Sequence, residues 1–174
     1  MYKSFFTDLA KKENGKFLYK DESLAYINGV RSPNVNYRVD FDYLGCHFTV
    51  INRTGTAYVG MIKCEISPNL NPIEFEINNI THFENLFRRK KSRLRIKSDN
   101  LDISNFLKNN EEFIELERIA ARDKFSPVIV CENKGNWKIM SKYHLEFDNW
   151  IEPVEPTIAL FKSLINKFDM GSRE

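Results

Sequence analysis

The sequence predicts an α+β fold, and three observations support that prediction. Residues 35–77 alternate apolar and polar side chains over several short runs, which is typical of half-buried antiparallel strands. Apolar side chains recur at helical spacing near both ends of the chain. The 174 residues, 42% of them hydrophobic, are enough to bury a sizeable core. We therefore expect a single domain over residues 1–174, with a four-stranded antiparallel meander, helices packed on one face, and a C-terminal hairpin followed by a helix.

An amphipathic helix is predicted at the start of the chain. Its apolar face consists of Phe5, Phe6, Leu9 and Ala10. Ser4 is a suitable N-cap, and Asn14-Gly15 is a suitable end. Residues 16–34 contain turn signals and short apolar runs, and their pattern leaves the fold of that stretch open.

The clearest pairing pattern follows. Residues 35–43 alternate strictly, and Leu44-Gly45 can close a two-residue hairpin with the next run. This turn sets Phe41 opposite Phe48. The predicted buried face consists of Phe41, Phe48, Val50, Ile62 and Phe75, and the outer face of the hairpin consists of Asp40, Asp42, His47 and Thr49.

Two further turns complete the predicted meander. A three-residue turn at Arg53-Thr54-Gly55 sets Val50 opposite Tyr58. The loop after the third strand then sets Phe75 opposite Cys64 in the fourth strand. A slip of one residue in any pairing would expose the apolar set of that strand, so a common apolar face supports the pairings.

The second half of the sequence alternates helical and strand-like patterns. A helix is predicted from Asn79, capped there or at Asn78, to about Lys90, and residues 93–97 alternate as a strand. The other predicted elements are a helix that starts at Asp99 or Asp102, a helix from Asn110 to Arg122, a hairpin around residues 133–136 and a final helix from Pro156 to Gly171.

The composition also predicts where the chain resides. No apolar run approaches the ~20 residues of a membrane-spanning helix, so we expect no membrane insertion. The N-terminus lacks the apolar core of a signal peptide, which predicts a cytoplasmic location. Cys46, Cys64 and Cys131 are then expected to stay reduced. The sequence leaves the oligomeric state open.

The sequence contains few signs of catalytic chemistry. It has no Cys-x-x-Cys pair, no glycine-rich phosphate loop and no His-Glu-x-x-His helix, so we expect neither a metal nor a cofactor. The best catalytic candidate is the predicted cross-strand pair of Asp42 and His47, because a carboxylate beside an imidazole can orient a general base. The simpler explanation is a polar pair on a solvated sheet face, which stabilises a hairpin by about 0.2–1 kcal/mol.

A basic stretch, residues 88–97, lies between the predicted meander and the later helices, and we call it the basic junction. It contains seven basic side chains and no acidic one. Without it the chain holds 19 basic and 24 acidic residues, so the net charge would be −5 instead of +2. Stabilisation of a helix C-terminus and protection of an edge strand from aggregation would explain about three of these charges. The predicted binding residues are Arg88, Arg89, Lys91, Arg93, Arg95 and Lys97.

These observations predict a non-enzymatic interaction module whose basic junction contacts an acidic protein or nucleic acid. The alternative is a small enzyme with a dispersed site around Asp42 and His47. A flat, open, basic face would favour the module, and a deep pocket with convergent polar groups would favour the enzyme.

Overall fold

The computed structural model describes residues 2–25, 31–55, 57–80 and 93–170. In this part of the chain four helices accompany eight strands, so the predicted α+β class is confirmed. The elements in chain order are α1 (Tyr2–Lys12), β1 (Lys16–Ala25), β2 (Arg31–Tyr43), β3 (Cys46–Thr54), β4 (Val59–Glu65), β5 (Phe75–Asn79), β6 (Leu94–Lys97), α2 (Leu101–Asn109), α3 (Glu111–Arg122), β7 (Val128–Asn133), β8 (Trp137–His144) and α4 (Val154–Met170).

The strands form one antiparallel sheet in the order β1-β2-β3-β4-β8-β7-β5-β6. Among the described strands, β1 and β6 therefore lie at the two edges. The sheet is wider than the predicted meander for two reasons. In the stretch 16–34, whose fold the sequence left open, residues 16–25 form β1 and residues 31–34 form the start of β2. The C-terminal hairpin of β7 and β8 inserts between β4 and β5.

The β2–β3 hairpin has the predicted register. Phe41 pairs with Phe48, and Asp42 pairs with His47. The rings of Phe41 and Phe48 stack with centroids 4.7 Å apart, and both side chains are buried. The two-residue turn at Leu44-Gly45 is confirmed, because both residues have positive φ angles.

The β3–β4 pairing differs from the predicted one. Val50 lies opposite Ile62 instead of Tyr58, because β3 continues to Thr54 and β4 begins only at Val59. The difference of four residues is even, so the apolar side chains stay on the predicted face. The observed register also places Gly60 against the ring of Tyr143, where a Cβ atom would lie 2.4 Å from the ring.

The predicted fourth strand of the meander pairs elsewhere, so this part of the prediction is wrong. The neighbour of β4 is β8, and β5 lies between β7 and β6. Phe75 consequently lies opposite Cys131 instead of Cys64. Phe75 is nevertheless buried, because alternation within a strand determines its face whichever strand lies beside it.

The helix predicted from Asn79 to about Lys90 is wrong at its start, because Asn78 and Asn79 are the last residues of β5. The rest of that segment, residues 81–92, lies outside the described residues. Of the later helices, α3 has the predicted cap: the side chain of Asn110 accepts a hydrogen bond from the Phe113 amide at 3.0 Å. The cap of α2 is Asn100, not Asp99 or Asp102.

The hydrophobic core lies between the helices and one face of the sheet. Buried residues of α1, α2, α3 and α4 join the inward-facing residues of the strands in a single cluster. On the opposite face of the sheet, strands β2, β3, β4 and β8 carry half-buried or exposed side chains. No helix in the described residues packs on that side, which we call the outer face.

Candidate interaction surface

Three of the seven basic residues of the basic junction lie within the described part of the chain. Arg93 immediately precedes β6, and Arg95 and Lys97 belong to it. Leu94 is buried and Ile96 packs against the core, so alternation places the three basic side chains on the outer face. The strand predicted over residues 93–97 is therefore present. Arg88, Arg89 and Lys91 lie outside the described residues.

Acidic residues surround the far end of β6. The Nζ atom of Lys97 lies 3.5 Å from the Glu76 carboxylate on the neighbouring strand. A hydrogen bond from Asn78, and then the charge of Lys97, hold the pKa of Glu76 below its usual value despite some burial. An open cleft of about 450 Å³ beside Lys97 is lined by further acids, Glu74, Asp99 and Glu132. Arg93 in turn lines an open cleft of about 770 Å³ that also contains Asp123, Glu146 and Asp148. Acidic side chains therefore lie near both ends of β6.

The sheet extends this basic character across its outer face. One cross-strand row runs Arg38, Ile51, Met61, Lys142 and Val128, on β2, β3, β4, β8 and β7. The next row runs Lys20, Asn36, Arg53, Val59 and His144. Neither of these two rows contains a carboxylate. We call the basic residues of this region the basic band, which consists of Lys20, Arg38, Arg53, Arg93, Arg95 and Lys142.

The basic band is partly neutralised at one end. Arg38 donates to the Asp40 carboxylate, with an Nε to Oδ2 distance of 2.7 Å, and Lys20 forms an ion pair with Glu22. Arg53 and Lys142 are exposed in the middle of the face. Neither residue could be predicted from the sequence as part of a basic surface, because neither belongs to a run of basic residues.

The outer face becomes acidic along the strand direction, away from the basic band. A third row pairs Asp42 with His47, His47 with Glu65, Glu65 with Lys138 and Lys138 with Glu132. Asp42 and Arg38 are four residues apart on β2, a separation of about 13 Å along a strand. The outer face therefore has a basic side and an acidic side.

Apolar side chains lie within the basic side of the outer face. Ile51 and Met61 are half-buried neighbours in the row that contains Arg38 and Lys142. Val128 in the same row is 49% exposed. An apolar centre flanked by charges is the composition of many protein interfaces.

The Asp42–His47 pair forms as predicted. The Nδ1 atom of His47 lies 2.7 Å from Oδ1 of Asp42, and its Nε2 atom lies 3.9 Å from Oδ1 of Asp40. A neighbouring open cleft of about 530 Å³ reaches the end of α1. The geometry could orient the imidazole as a general base. Within the described residues, no group of three or more possible ligands could hold a metal ion.

The environment of Asp40 stabilises its charged form. Burial alone would raise the pKa of Asp40, but hydrogen bonds from Arg38 and from the Thr49 hydroxyl at 2.9 Å outweigh it and hold the pKa below its usual value. The Thr49 hydroxyl donates to Asp40, and His47 contacts two carboxylates, so these contacts contain no nucleophile paired with its base.

The three cysteines are free and buried beneath the sheet. A hydrogen bond from Cys64, and another from the Ser67 amide at 3.3 Å, lower the pKa of Cys46 to about 7. The pKa of Cys64 is raised by the same contact and by burial, and burial raises the pKa of Cys131 to about 12. Because Cys46 has no exposed surface, this lowered pKa is not accompanied by access to a reagent.

Comparisons with known proteins add little to this geometry. No protein-family model matches the chain, and no curated protein matches it. Among solved structures, the chain is similar to the crystal structure of the mycobacterial trehalose monomycolate transport factor A, TtfA, with 12% sequence identity, a TM-score of 0.45 and 92% of each chain covered. A likeness of this degree carries no argument about function. In the described residues, no helix is long and apolar enough to cross a membrane.

Proposed function

We propose that this chain is a non-enzymatic interaction module that binds an acidic protein segment through its basic junction. The observation that carries the proposal is the position of Arg93 and Arg95. Both side chains are half-buried at the β6 edge of the sheet, and Arg93 also lines an open cleft with the end of α3. An open basic face of this kind attracts acidic partners and raises their association rate.

The neighbours of Lys97 favour a protein segment over nucleic acid. A phosphate backbone carries charge at every step, so a strand running along β6 would meet Glu76 and the acids that line the adjoining cleft. A protein segment can place its carboxylates opposite Arg93 and Arg95 alone. The proposed partner is therefore an acidic segment, and nucleic acid is the competing outcome.

The experiment is a salt titration of binding to a glutamate-rich peptide and to duplex and single-stranded DNA of mixed sequence. The variant is Arg93→Glu/Arg95→Glu. The matched control is Lys11→Glu/Lys108→Glu, which makes the same charge change on exposed helix positions. We expect the peptide affinity of the variant to fall by about tenfold or more and that of the control to change by less than about twofold.

Two results would count against this function. Equal peptide binding by the Arg93→Glu/Arg95→Glu variant and wild type would remove the basic junction from the interface. Tighter binding to DNA than to peptide, with affinity falling steeply between about 50 and 200 mM salt, would make nucleic acid the partner.

One observation favours a second candidate function. The 2.7 Å contact between His47 and Asp42 beside an open cleft is the arrangement of an oriented general base, which suits hydrolysis of an ester or phosphoester. A panel of such substrates would test it with His47→Asn, using His144→Asn as the control because His144 is also an exposed outer-face histidine. Activity that both variants retain equally would eliminate this site.

A further inference from the structure

The basic band extends the binding surface well beyond the basic junction. Arg53 and Lys142 lie on β3 and β8, in the two rows of the outer face described above that contain no carboxylate. Between them lie the half-buried side chains of Ile51 and Met61. A partner that covers this region must therefore neutralise cations and cover apolar surface at the same time.

We infer that the occupant of the outer face is a single acidic amphipathic helix that lies across the strands. This inference rests on the proposed function and specifies its partner. Leucine-like side chains of the helix would contact Ile51, Met61 and Val128. Its carboxylates would meet Arg53 in the neighbouring row and Lys142, which lies between Met61 and Val128. A phosphate backbone offers the charges but no apolar complement to this centre.

The dimensions of the face suit a single helix. A helix with its side chains is about 10–12 Å wide. The row that contains Arg38 and Lys142 lies about 13 Å from the acidic row that contains Asp42 and Glu65. A helix centred on the basic side would therefore keep its carboxylates away from those acids. From β2 to β7 the four interstrand spacings cover about 19 Å, the length of about 13 helical residues, so a helix of about 16 residues is long enough to cross these strands.

Charge complementarity also determines the orientation that the partner helix must adopt. Its acidic edge has to face the side of the sheet with Arg53, because the opposite side carries Asp42, Glu65 and Glu132. This arrangement would reject the reversed orientation through repulsion between like charges.

The test uses three synthetic peptides of about 16 residues. The first has leucines on one helical face and glutamates elsewhere, the second has the same composition with the leucines dispersed, and the third has lysine in place of glutamate. Dissociation constants would be measured by fluorescence anisotropy for the wild type, Arg53→Glu/Lys142→Glu, Met61→Ser and the control Lys11→Glu/Lys108→Glu. Circular dichroism would establish that each variant is folded.

The inference predicts that only the amphipathic acidic peptide binds the wild type well. Charge reversal at Arg53 and Lys142 should weaken the affinity for this peptide by about tenfold or more, and Met61→Ser should weaken it by about threefold or more. The control variant should change this affinity by less than about twofold. The reversed variant should gain affinity for the lysine peptide.

Other results overturn the inference and separate it from the proposed function. Equal binding of the dispersed and amphipathic peptides would eliminate the helix, and wild-type binding by Arg53→Glu/Lys142→Glu would eliminate the basic band as its site. If Arg93→Glu/Arg95→Glu is the only double variant that weakens peptide binding, the peptide binds the basic junction and does not bind the wider surface. If neither double variant changes binding, or if no acidic peptide binds at low salt, both proposals fail.

Discussion

Leu44 illustrates how a single residue affects both the fold and its stability. This exposed leucine has a φ of 49°, in the left-handed region, at the first position of the turn between β2 and β3. Gly45 follows it with a φ of 75°. Asn-Gly is the usual sequence of such a turn because asparagine tolerates positive φ better than leucine does. The sequence therefore specifies the turn through Gly45 and places some strain at Leu44.

We expect Leu44→Asn to raise the free energy of unfolding by about 1 kcal/mol by removing that strain. The measurement is urea denaturation. Leu101→Asn is the control, because Leu101 is also an exposed leucine but begins α2. No gain for Leu44→Asn relative to this control would show that the turn is not strained.

Asp40 predicts an acid-dependent loss of stability. Because its folded-state pKa lies below the unfolded value of about 3.9, ionised Asp40 stabilises the protein above that value, and this contribution is lost as the pH falls through the folded pKa. Unfolding by urea at a series of pH values below about 5 should therefore show a smaller acid-induced loss for Asp40→Asn than for the wild type. Thr49→Val should give an intermediate loss, since it removes one hydrogen bond to Asp40. Parallel curves for all three proteins would refute this role.

At the scale of elements, the pairing of strands that are adjacent in the sequence was predictable, and the pairing of distant strands was not. The β2–β3 register follows from one turn and one alternating run, so Asp42 and His47 could be placed opposite each other from the sequence. The position of β5 depends instead on β7 and β8, which lie more than 50 residues later in the chain. No pattern inside β5 records that choice, because its alternation is satisfied beside any strand that continues the buried face.

Helix α3 provides a test at the same scale. Asn110 ends α2 and caps α3, where its side chain accepts from the Phe113 amide. We expect Asn110→Ala to lower the free energy of unfolding by about 1 kcal/mol. Asn110→Asp should change it by much less, because aspartate caps equally well and its charge suits a helix N-terminus. Thermal or urea denaturation measures both, and equal losses in the two variants would contradict the capping role.

At the scale of the whole molecule, the distribution of charge is the property that matters for function. The basic junction could be found as a run of letters, but the basic band could not, because Arg53 and Lys142 come together only through β4. The sequence could predict that outer-face residues of each strand are polar. It could not predict that cations of several strands share one side of that face and carboxylates the other.

The most direct test of binding through the outer face is a methyl NMR titration with the acidic amphipathic peptide. Met61 and Met140 lie on the outer face, and Met170 lies at the end of α4, 70% exposed. With carbon-13 methyl labels on methionine, we predict that the Met61 and Met140 signals shift saturably while the Met170 signal stays in place. Binding that shifts Met170 and leaves Met61 and Met140 unchanged, or no shift of any of the three, would contradict the proposed surface.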